Sequence, residues 1–196
     1  MAKIIRKTKE TDITLELNIR GNGAYEINTG IGFFDHMLSQ IAVHANVDLN
    51  VKCVGDLYVD SHHTIEDVGI ALGLAIKESL KDVNGINRYG KAIIPMDESL
   101  ILCAIDVCNR PYCEVDDAFT VNKIGEFDTE MVSEFFKAVS YNSGLNIHIM
   151  KLRGINNHHI CEGMFKAFAR AFLDAITFSD VFKGETSSKG VLWELQ

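Results

Sequence analysis

A five-residue motif, His-His-x-x-Glu, occurs twice in this chain, at 62–66 and again at 158–162. With 7 histidines among 196 residues, composition alone would give roughly 0.02 copies. Each copy opens a segment with the apolar periodicity of a long helix. The repeated motif therefore constrains both the architecture of the chain and its chemistry.

The motif is the centre of a longer repeat with a spacing of 96 residues. Residues 49–80 align with 145–176 without a gap. The identical pairs fall on the motif and on small helix positions: Leu49/Leu145, Asn50/Asn146, His62/His158, His63/His159, Glu66/Glu162, Ala71/Ala167 and Ala75/Ala171. Upstream the register shifts by two residues, which places Glu134 opposite His36. This pattern indicates an internal duplication.

Hydrophobic periodicity predicts the elements of the first half. Ile13–Ile19 alternates apolar and polar residues as a half-buried strand does, and Arg20–Gly23 supplies turn residues for a hairpin. In chain order the prediction is strands at 13–19 and 24–27, a helix after Gly32, strands at 47–53 and 57–59, and a helix from 62 to about Asp82.

The second half repeats much of this order. The prediction is strands at 93–94 and 100–107, a weak strand at 115–124, a helix capped by Asp128–Thr129 and ended near Gly144, a strand at 145–150, and a helix from 158 to about Phe178. The chain is therefore predicted to be α+β, with two halves that each read strand-strand-helix-strand-strand-helix.

Composition narrows the class of protein. The net charge of −8, without a basic run, argues against nucleic-acid binding, whereas a few clustered cations could still bind a small anion. No segment has the length of a membrane span or the pattern of a signal peptide, so we expect a cytoplasmic protein. Five cysteines without a C-x-x-C pair indicate reduced thiols. Cys103, Cys108 and Cys113 could form a metal cluster, although the apolar run around Cys103 favours packing.

Helical geometry divides the histidines of each motif between two metal ions. Residues four apart share a helix face, so His62 and Glu66 can reach one metal, whereas His63 points about 100° away. One site could then take His62, Glu66 and His159. The other could take His158, Glu162 and His63.

The shifted alignment makes His36 and Glu134 natural fourth ligands of these sites. The residues leave open whether one chain brings its two motifs together or whether subunits share the sites. Imidazole and carboxylate donors without thiolate suit manganese, iron or zinc. The carboxylate of Glu134 favours manganese.

At these residues the chain resembles the imidazoleglycerol-phosphate dehydratase family. The matching stretches are Lys9–Thr11, Phe34–Gln40, both His-His-x-x-Glu motifs, Phe165–Ala171 and Ser187–Leu192. The resemblance implies a single dehydratase domain over 1–196, built from pseudo-repeats at about 1–88 and 89–183 with a C-terminal substrate-binding tail at 184–196. It also implies helices packed between or against mixed sheets, as in ribosomal protein S5 domain 2-like folds.

The resemblance further implies two Mn²⁺ per active site, in a homo-oligomeric 24-mer with active sites between subunits. Position by position, the implied ligands are His36, His63, His158 and Glu162 for one metal and His62, Glu66, Glu134 and His159 for the other. The chain departs from the family pattern at Glu134, where many members have histidine, and at Gly32, where proline is frequent. The carboxylate of Glu134 can still bind a metal, so the departure there bears on metal preference rather than on activity.

The implied activity is a hydro-lyase reaction of L-histidine biosynthesis, from D-erythro-imidazoleglycerol phosphate to imidazoleacetol phosphate. The resemblance also implies a mechanism in which the ring of the substrate bridges the metals as an imidazolate while a base removes the C2 proton and the C3 hydroxyl leaves. The resemblance places Glu10 and His44 in catalysis. The implied substrate-binding residues are Glu10, Gln40, His44, Arg88, Met96, Asp97, Arg110, Lys166, Ser187, Ser188 and Lys189.

The residues alone leave other interpretations open. A dinuclear phosphatase would use the same ligands to activate water, and a metal-storage or assembly protein would use them without catalysis. The histidines could also be satisfied polar groups of the core. Glu10, Arg88 and Arg110 could be surface charges, and His44 a packed histidine.

Overall fold

Ten strands and four helices make up the described part of the chain. The structure is a computed structural model, and it describes residues 1–81, 84–116 and 119–181. In chain order the elements are β1 (Ala2–Lys7), β2 (Thr11–Asn18), β3 (Tyr25–Asn28), α1 (Gly32–Ala45), β4 (Asp48–Gly55), α2 (His62–Leu80), β5 (Tyr89–Met96), β6 (Ser99–Val107), β7 (Tyr112–Val115), β8 (Lys123–Ile124), β9 (Phe127–Asp128), α3 (Met131–Ser143), β10 (Leu145–Arg153) and α4 (Asn157–Ile176).

The two halves build sheets of the same topology. The first sheet has the order β1-β2-β4-β3 and the second has β5-β6-β10-β7. In each sheet the first three strands pair antiparallel, and the fourth pairs parallel with its neighbour. The predicted α+β class and the internal duplication are confirmed. A small hairpin, β8-β9, is inserted before α3 of the second half.

The order of elements within each half differs from the prediction. Three strands precede the first helix and one strand precedes the second. The hairpin predicted between 13–19 and 24–27 is wrong, because β3 pairs parallel with β4 while β2 forms a hairpin with β1. The Asp48 carboxylate accepts the N–H groups of Asn22 and Ala24 at 2.9 and 3.2 Å. This contact ties the turn to the start of β4 and directs the chain away from β2.

Three other local predictions are wrong. Residues 57–59 form a turn, in which Val59 N–H donates to the carbonyl of Asp56 at 2.8 Å. Among the described residues of the strand predicted at 115–124, only Val115, at the end of β7, and the two residues of β8 are in strands. Asp128 does not cap α3, since its carboxylate accepts from Ser61 Oγ at 2.7 Å and Glu130 occupies the N-cap.

The four helices lie between the two sheets. Helix α2 packs on β1 and β2, and α4 packs on β5 and β6. Across the layer α1 packs against α4, and α2 packs against α3. Each of these two helix pairs therefore combines one helix from each half of the chain, so that side chains from both halves meet at the helix ends.

Two equivalent positions of the repeat, Gly69 and Phe165, border the same residue of α3. A Cβ on Gly69 would lie 3.0 Å from the carbonyl oxygen of Phe135, so α2 approaches α3 closely. The ring of Phe165 stacks on Phe135 with centroids 5.2 Å apart and contacts Phe136 at 4.9 Å. Burial of such a side chain contributes about 1.5–3 kcal/mol.

All five cysteines are free and buried. Burial raises the pKa of the Cys53 thiol to about 12, and it raises the pKa of Cys103 and Cys161 further still. No cysteine takes part in a close group of metal-ligating side chains within the described residues. Packing, rather than a metal cluster, accounts for their positions.

Candidate metal and substrate site

Three metal-ligating side chains from the two halves converge where α1 meets α4. Nε2 of His158 lies 3.1 Å and Nε2 of His36 lies 3.4 Å from Oε2 of Glu162. One ligand atom from each residue lies within 4.8 Å of the others. Two imidazole nitrogens and one carboxylate oxygen are donors that fit Mn²⁺, Fe²⁺ or Zn²⁺. We call this set the three-donor group.

Local structure fixes the backbone of the three-donor group. The Asn156 side chain caps α4 by accepting the N–H of His158 at 2.9 Å and, less closely, that of His159 at 3.4 Å. The ring of Phe33 packs edge-on against the imidazole of His158, with centroids 5.1 Å apart. The first turn of α4, which carries His158 and His159, is therefore stabilised by the cap from Asn156 and by the contact of Phe33.

Glu162 is the buried member of the group, with its side chain 8% exposed. Burial acts to raise the pKa of its carboxyl, but the hydrogen bond and charge of Lys166 outweigh that effect and, with His158 and His36, hold the pKa below its usual value. Lys166 Nζ lies 2.6 Å from Oε1, on the other carboxylate oxygen. The carboxylate is therefore ionised, and its Oε2 faces the two imidazoles.

The equivalent residues of the other helix pair are only partly assembled. His62 Nε2 lies 3.6 Å from Glu66 Oε2, and both side chains are nearly half exposed. Glu134, the repeat equivalent of His36, forms an ion pair with Lys137, whose Nζ lies 2.9 Å from Oε1 of Glu134. Over the ranges that the structure describes, no second trio of His, Cys, Asp or Glu ligand atoms is as close as the three-donor group.

Adjacent histidines of each motif point apart, as helical geometry predicts. The rings of His62 and His63 are inclined by 74°, and those of His158 and His159 by 82°. His63 lies beside Asp56 and Glu10 rather than in the three-donor group. A single chain therefore does not assemble the predicted set of His158, Glu162 and His63.

His63 and His159 each have one carboxylate near Nδ1 and another near Nε2. Asp56 is 3.0 Å from Nδ1 of His63, and Glu10 is 3.7 Å from its Nε2. Glu98 is 2.7 Å from Nδ1 of His159, and Asp97 is 3.5 Å from its Nε2. The Nδ1 hydrogen bonds raise the pKa of both imidazoles. The hydrogen bond from His159 holds the pKa of Glu98 well below its usual range.

Several predicted substrate-binding residues border the three-donor group. Gln40 Nε2 lies 3.4 Å from His36 Nδ1. Partial burial, together with the positive charges of Lys166 and Arg170, lowers the pKa of His44. Met96 Sδ lies 3.4 Å from Lys166 Nζ. A neutral imidazole, an amide and an ammonium thus surround the same cluster of ligands.

Two other predicted substrate-binding residues, Arg88 and Arg110, lie elsewhere in the fold. Arg88 donates to both carboxylate oxygens of Asp106 at 2.7 and 3.1 Å, and Arg110 Nη2 lies 3.9 Å from the same carboxylate. Arg88 precedes β5 and Met96 ends it, a separation of roughly 25 Å for an extended strand. The arginines are therefore far from the three-donor group of their own chain. Ser187, Ser188 and Lys189 lie outside the described residues.

Sequence reasoning missed Asp56 and Glu98. Glu98 follows Asp97, a predicted substrate-binding residue, and this position was a usable signal. Asp56 lies seven residues before His63 but outside α2, so the helical spacing of seven does not account for this contact. Its role depends on the turn at 57–59 that brings the end of β4 back to the start of α2.

Known proteins resemble this chain over nearly its whole length. The sequence profile of the family described as imidazoleglycerol-phosphate dehydratase matches residues 29–172. The chain is 56% identical over 191 residues to the imidazoleglycerol-phosphate dehydratase of Lachnoclostridium phytofermentans, and 52% identical over 190 residues to that of Acetivibrio thermocellus. Each alignment covers 97% of both proteins.

Solved structures of the same family share the fold. The Staphylococcus aureus dehydratase superposes with a TM-score of 0.81 at 39% identity, covering 91% of this chain and 99% of that chain. The Pyrococcus furiosus protein, solved in complex with (S)-C348, gives a TM-score of 0.82 at 36% identity, covering 96% and 100%. No helix among the described residues is long and apolar enough to cross a membrane. The chain therefore belongs to the imidazoleglycerol-phosphate dehydratase family and is a hydro-lyase of histidine biosynthesis.

Proposed function

We propose that the chain converts D-erythro-imidazoleglycerol phosphate to imidazoleacetol phosphate at a centre of two Mn²⁺ ions completed between subunits. The observation that carries this proposal is the three-donor group beside Lys166. Imidazole and carboxylate donors next to an ammonium suit a substrate with an imidazole ring at one end and a phosphate at the other. The ligand sets are those that the family resemblance implies, including Glu66 and Glu134.

Side chains of this chain have distinct tasks in the proposed reaction. Glu10, half exposed beside His63, accepts the proton from C2 of the glycerol chain. Gln40 and His44 orient the substrate beside the ligands, with Met96 and Asp97 as walls of the site. Bound cations would supply Lewis-acid stabilisation of negative charge on the ring of the substrate while the C3 hydroxyl leaves as water.

Sharing of the site between subunits is supported by what one chain lacks. His63 lies away from the three-donor group, and Arg88 and Arg110 lie at the far end of the second sheet. A neighbouring subunit would supply the missing imidazole and the guanidiniums that bind phosphate, with Ser187, Ser188 and Lys189 of the tail. The 24-mer is the assembly that the resemblance implies. Five buried, unpaired cysteines support the cytoplasm as the compartment.

The decisive experiment follows the product. Protein stripped with chelator and reloaded with Mn²⁺ is incubated with imidazoleglycerol phosphate, and the mixture is analysed by mass spectrometry. The proposal predicts a product lighter by one water, formed only with metal. Release of free phosphate instead would identify a phosphatase, and metal binding without any turnover would identify a storage protein.

A further inference from the structure

Two carboxylates outside the predicted ligand sets each contact a histidine of a repeated motif. Asp56 directly follows β4, and Glu98 lies in the turn between β5 and β6. Their oxygens approach Nδ1 of His63 at 3.0 Å and Nδ1 of His159 at 2.7 Å. We propose that Asp56 and Glu98 are positioning residues that hold these imidazoles ready to bind metal through Nε2. The inference rests on the metal centre of the proposed function.

The hydrogen bond selects one form of each ring. An ionised carboxylate can only accept, so the proton of a neutral imidazole must sit on Nδ1. The lone pair is then on Nε2, which is the atom left for a metal ion. Glu10 and Asp97 stand near Nε2 at 3.7 and 3.5 Å, beyond the range of a good hydrogen bond. Among the described residues, Nε2 therefore has no strong hydrogen-bond partner.

Each positioning carboxylate is itself held in place. Oε1 of Glu98 accepts the N–H groups of Ile155 and Asn156 at 3.2 and 2.8 Å, and it accepts from Ser99 Oγ at 3.0 Å. This leaves Oε2 for His159. The side chain of Asp56 is only 13% exposed, and its backbone N–H donates to the carbonyl of Glu10 at 3.0 Å. A carboxylate fixed in this way can orient the ring that it contacts.

In the two halves, the carboxylate that contacts Nδ1 of the histidine comes from different segments of the chain. The position 96 residues after Asp56 is Leu152, which cannot accept a hydrogen bond. In the second half the carboxylate comes instead from the hairpin turn. The corresponding turn of the first half carries Glu10, whose carboxylate approaches Nε2 of His63 rather than Nδ1.

A difference in hairpin length explains this exchange. Asp12 and Leu102 occupy matching places, because their partners Val54 and Met150 are related by the repeat. Pairing of β1 with β2 ends at Asp12, whereas β5 and β6 stay paired beyond Leu102 as far as Ser99. The longer hairpin places Glu98 at Nδ1 of His159. In the first half, where the hairpin is shorter, Asp56 contacts Nδ1 of His63 instead, and Glu10 remains available for proton transfer.

The test measures metal affinity rather than turnover. Mn²⁺ is titrated into the chelator-stripped, full-length protein, with free Mn²⁺ followed by electron paramagnetic resonance. Asp56→Asn and Glu98→Gln keep the shape of each side chain but remove the negative charge that holds the proton on Nδ1. We expect the dissociation constant for Mn²⁺ to rise roughly 10- to 100-fold in each variant. Asp12→Asn and Glu16→Gln are matched controls, since their carboxylates contact Lys7 and Lys3 on the outer face of the first sheet.

Double-mutant cycles separate positioning from a general loss of structure. In a His63→Gln background, Asp56→Asn should cause no further change in affinity, and Glu98→Gln should cause none in a His159→Gln background. Thermal unfolding without metal shows whether each variant folds, and the two pairs are independent tests. Unchanged affinity in the single variants, or an equal loss with and without the histidine, would overturn the proposal. Absence of Mn²⁺ binding by the unmodified protein would instead overturn the metal centre itself.

Discussion

Lys166 places its ammonium nitrogen 2.6 Å from Oε1 of Glu162, whose other oxygen faces His36 and His158. One carboxylate thus joins the cation next to the site to the metal-ligating imidazoles. The ammonium has three donors, so it can hold Glu162 and still bind an anion. Its contribution to anion binding can be tested by substitution.

Replacing Lys166 should weaken binding of the phosphorylated substrate. A hydrogen bond to a charged group contributes about 1.5–3 kcal/mol, so we expect Lys166→Met to raise KM roughly 10- to 100-fold. Steady-state kinetics with Mn²⁺-loaded protein measure the change. Lys52→Met, on the exposed outer face of the first sheet, is the control and should leave KM unaltered. Equal KM values for the two variants would remove Lys166 from the phosphate site.

Glu10→Gln should abolish proton transfer while it preserves the metal centre. A positioned general base contributes about 10²- to 10⁴-fold to rate, so kcat should fall by that factor. The affinity for Mn²⁺ should stay within about twofold, because the amide keeps the size of the side chain. The comparison is with Glu16→Gln on the neighbouring strand. A kcat close to that of the unmodified enzyme would assign the base to another residue.

Subunits with complementary defects should restore activity when they assemble together. Arg110→Ala and His158→Asn should each be inactive alone, because the guanidinium and the imidazole belong to one shared site. After co-expression, roughly a quarter of sites drawn from two random subunits would have both groups intact. Activity near that fraction, measured on the purified mixed oligomer, supports the shared site. If the mixture stays inactive, each chain must complete its own site.

A methyl group added at Gly90 should destabilise the second half of the fold. Its Cβ would collide with the carbonyl oxygen of Ala171 and lie 2.5 Å from the nitrogen of Ala175, both in the backbone of α4. Overpacking costs about 1–3 kcal/mol, and a rigid helix backbone puts Gly90→Ala at the upper end. Urea unfolding of the metal-free protein measures the loss. Gly32→Ala meets nothing within 4 Å and should be neutral or slightly stabilising.

The contribution of Asp48 to stability should depend on pH. Hydrogen bonds from backbone N–H groups, chiefly that of Asn22, hold the pKa of Asp48 below its ordinary value of 3.8. A lowered pKa in the folded state stabilises the protein above pH 3.8, and this stabilisation is lost as the pH falls through the folded-state pKa. Asp48→Asn should therefore be less stable than the unmodified protein at pH 7 and converge with it in acid. A constant difference between the two unfolding curves at all pH values would contradict this.

Periodicity and repeat spacing predicted the parts of the fold that depend on local sequence. Ile13, Leu15 and Leu17 are buried as the alternation requires, and the ring angles within each His-His pair follow from helical geometry. The partner of β3 was not predictable, because it depends on Asp48 accepting hydrogen bonds from residues 26 and 24 positions earlier. Local turn composition contains no signal for such a contact.

The site shows the same division between local and distant contacts. His158 with Glu162 was predictable from a spacing of four, and the addition of His36 from the shifted repeat. Asp56 and Glu98 were not, because they reach their histidines through a turn and an extended hairpin. Spacing within one element can be read from sequence, whereas contacts between elements depend on the assembled fold.

The pairing of Gly69 with Phe165 around Phe135 has a consequence for the duplicated halves. A protein made of two identical first halves would leave a void where the Phe165 ring now packs, and two identical second halves would bring two phenyl rings to a space that holds one. The two copies differ in side-chain volume at these equivalent positions, so exchange of one half for the other would require repacking of the layer between them.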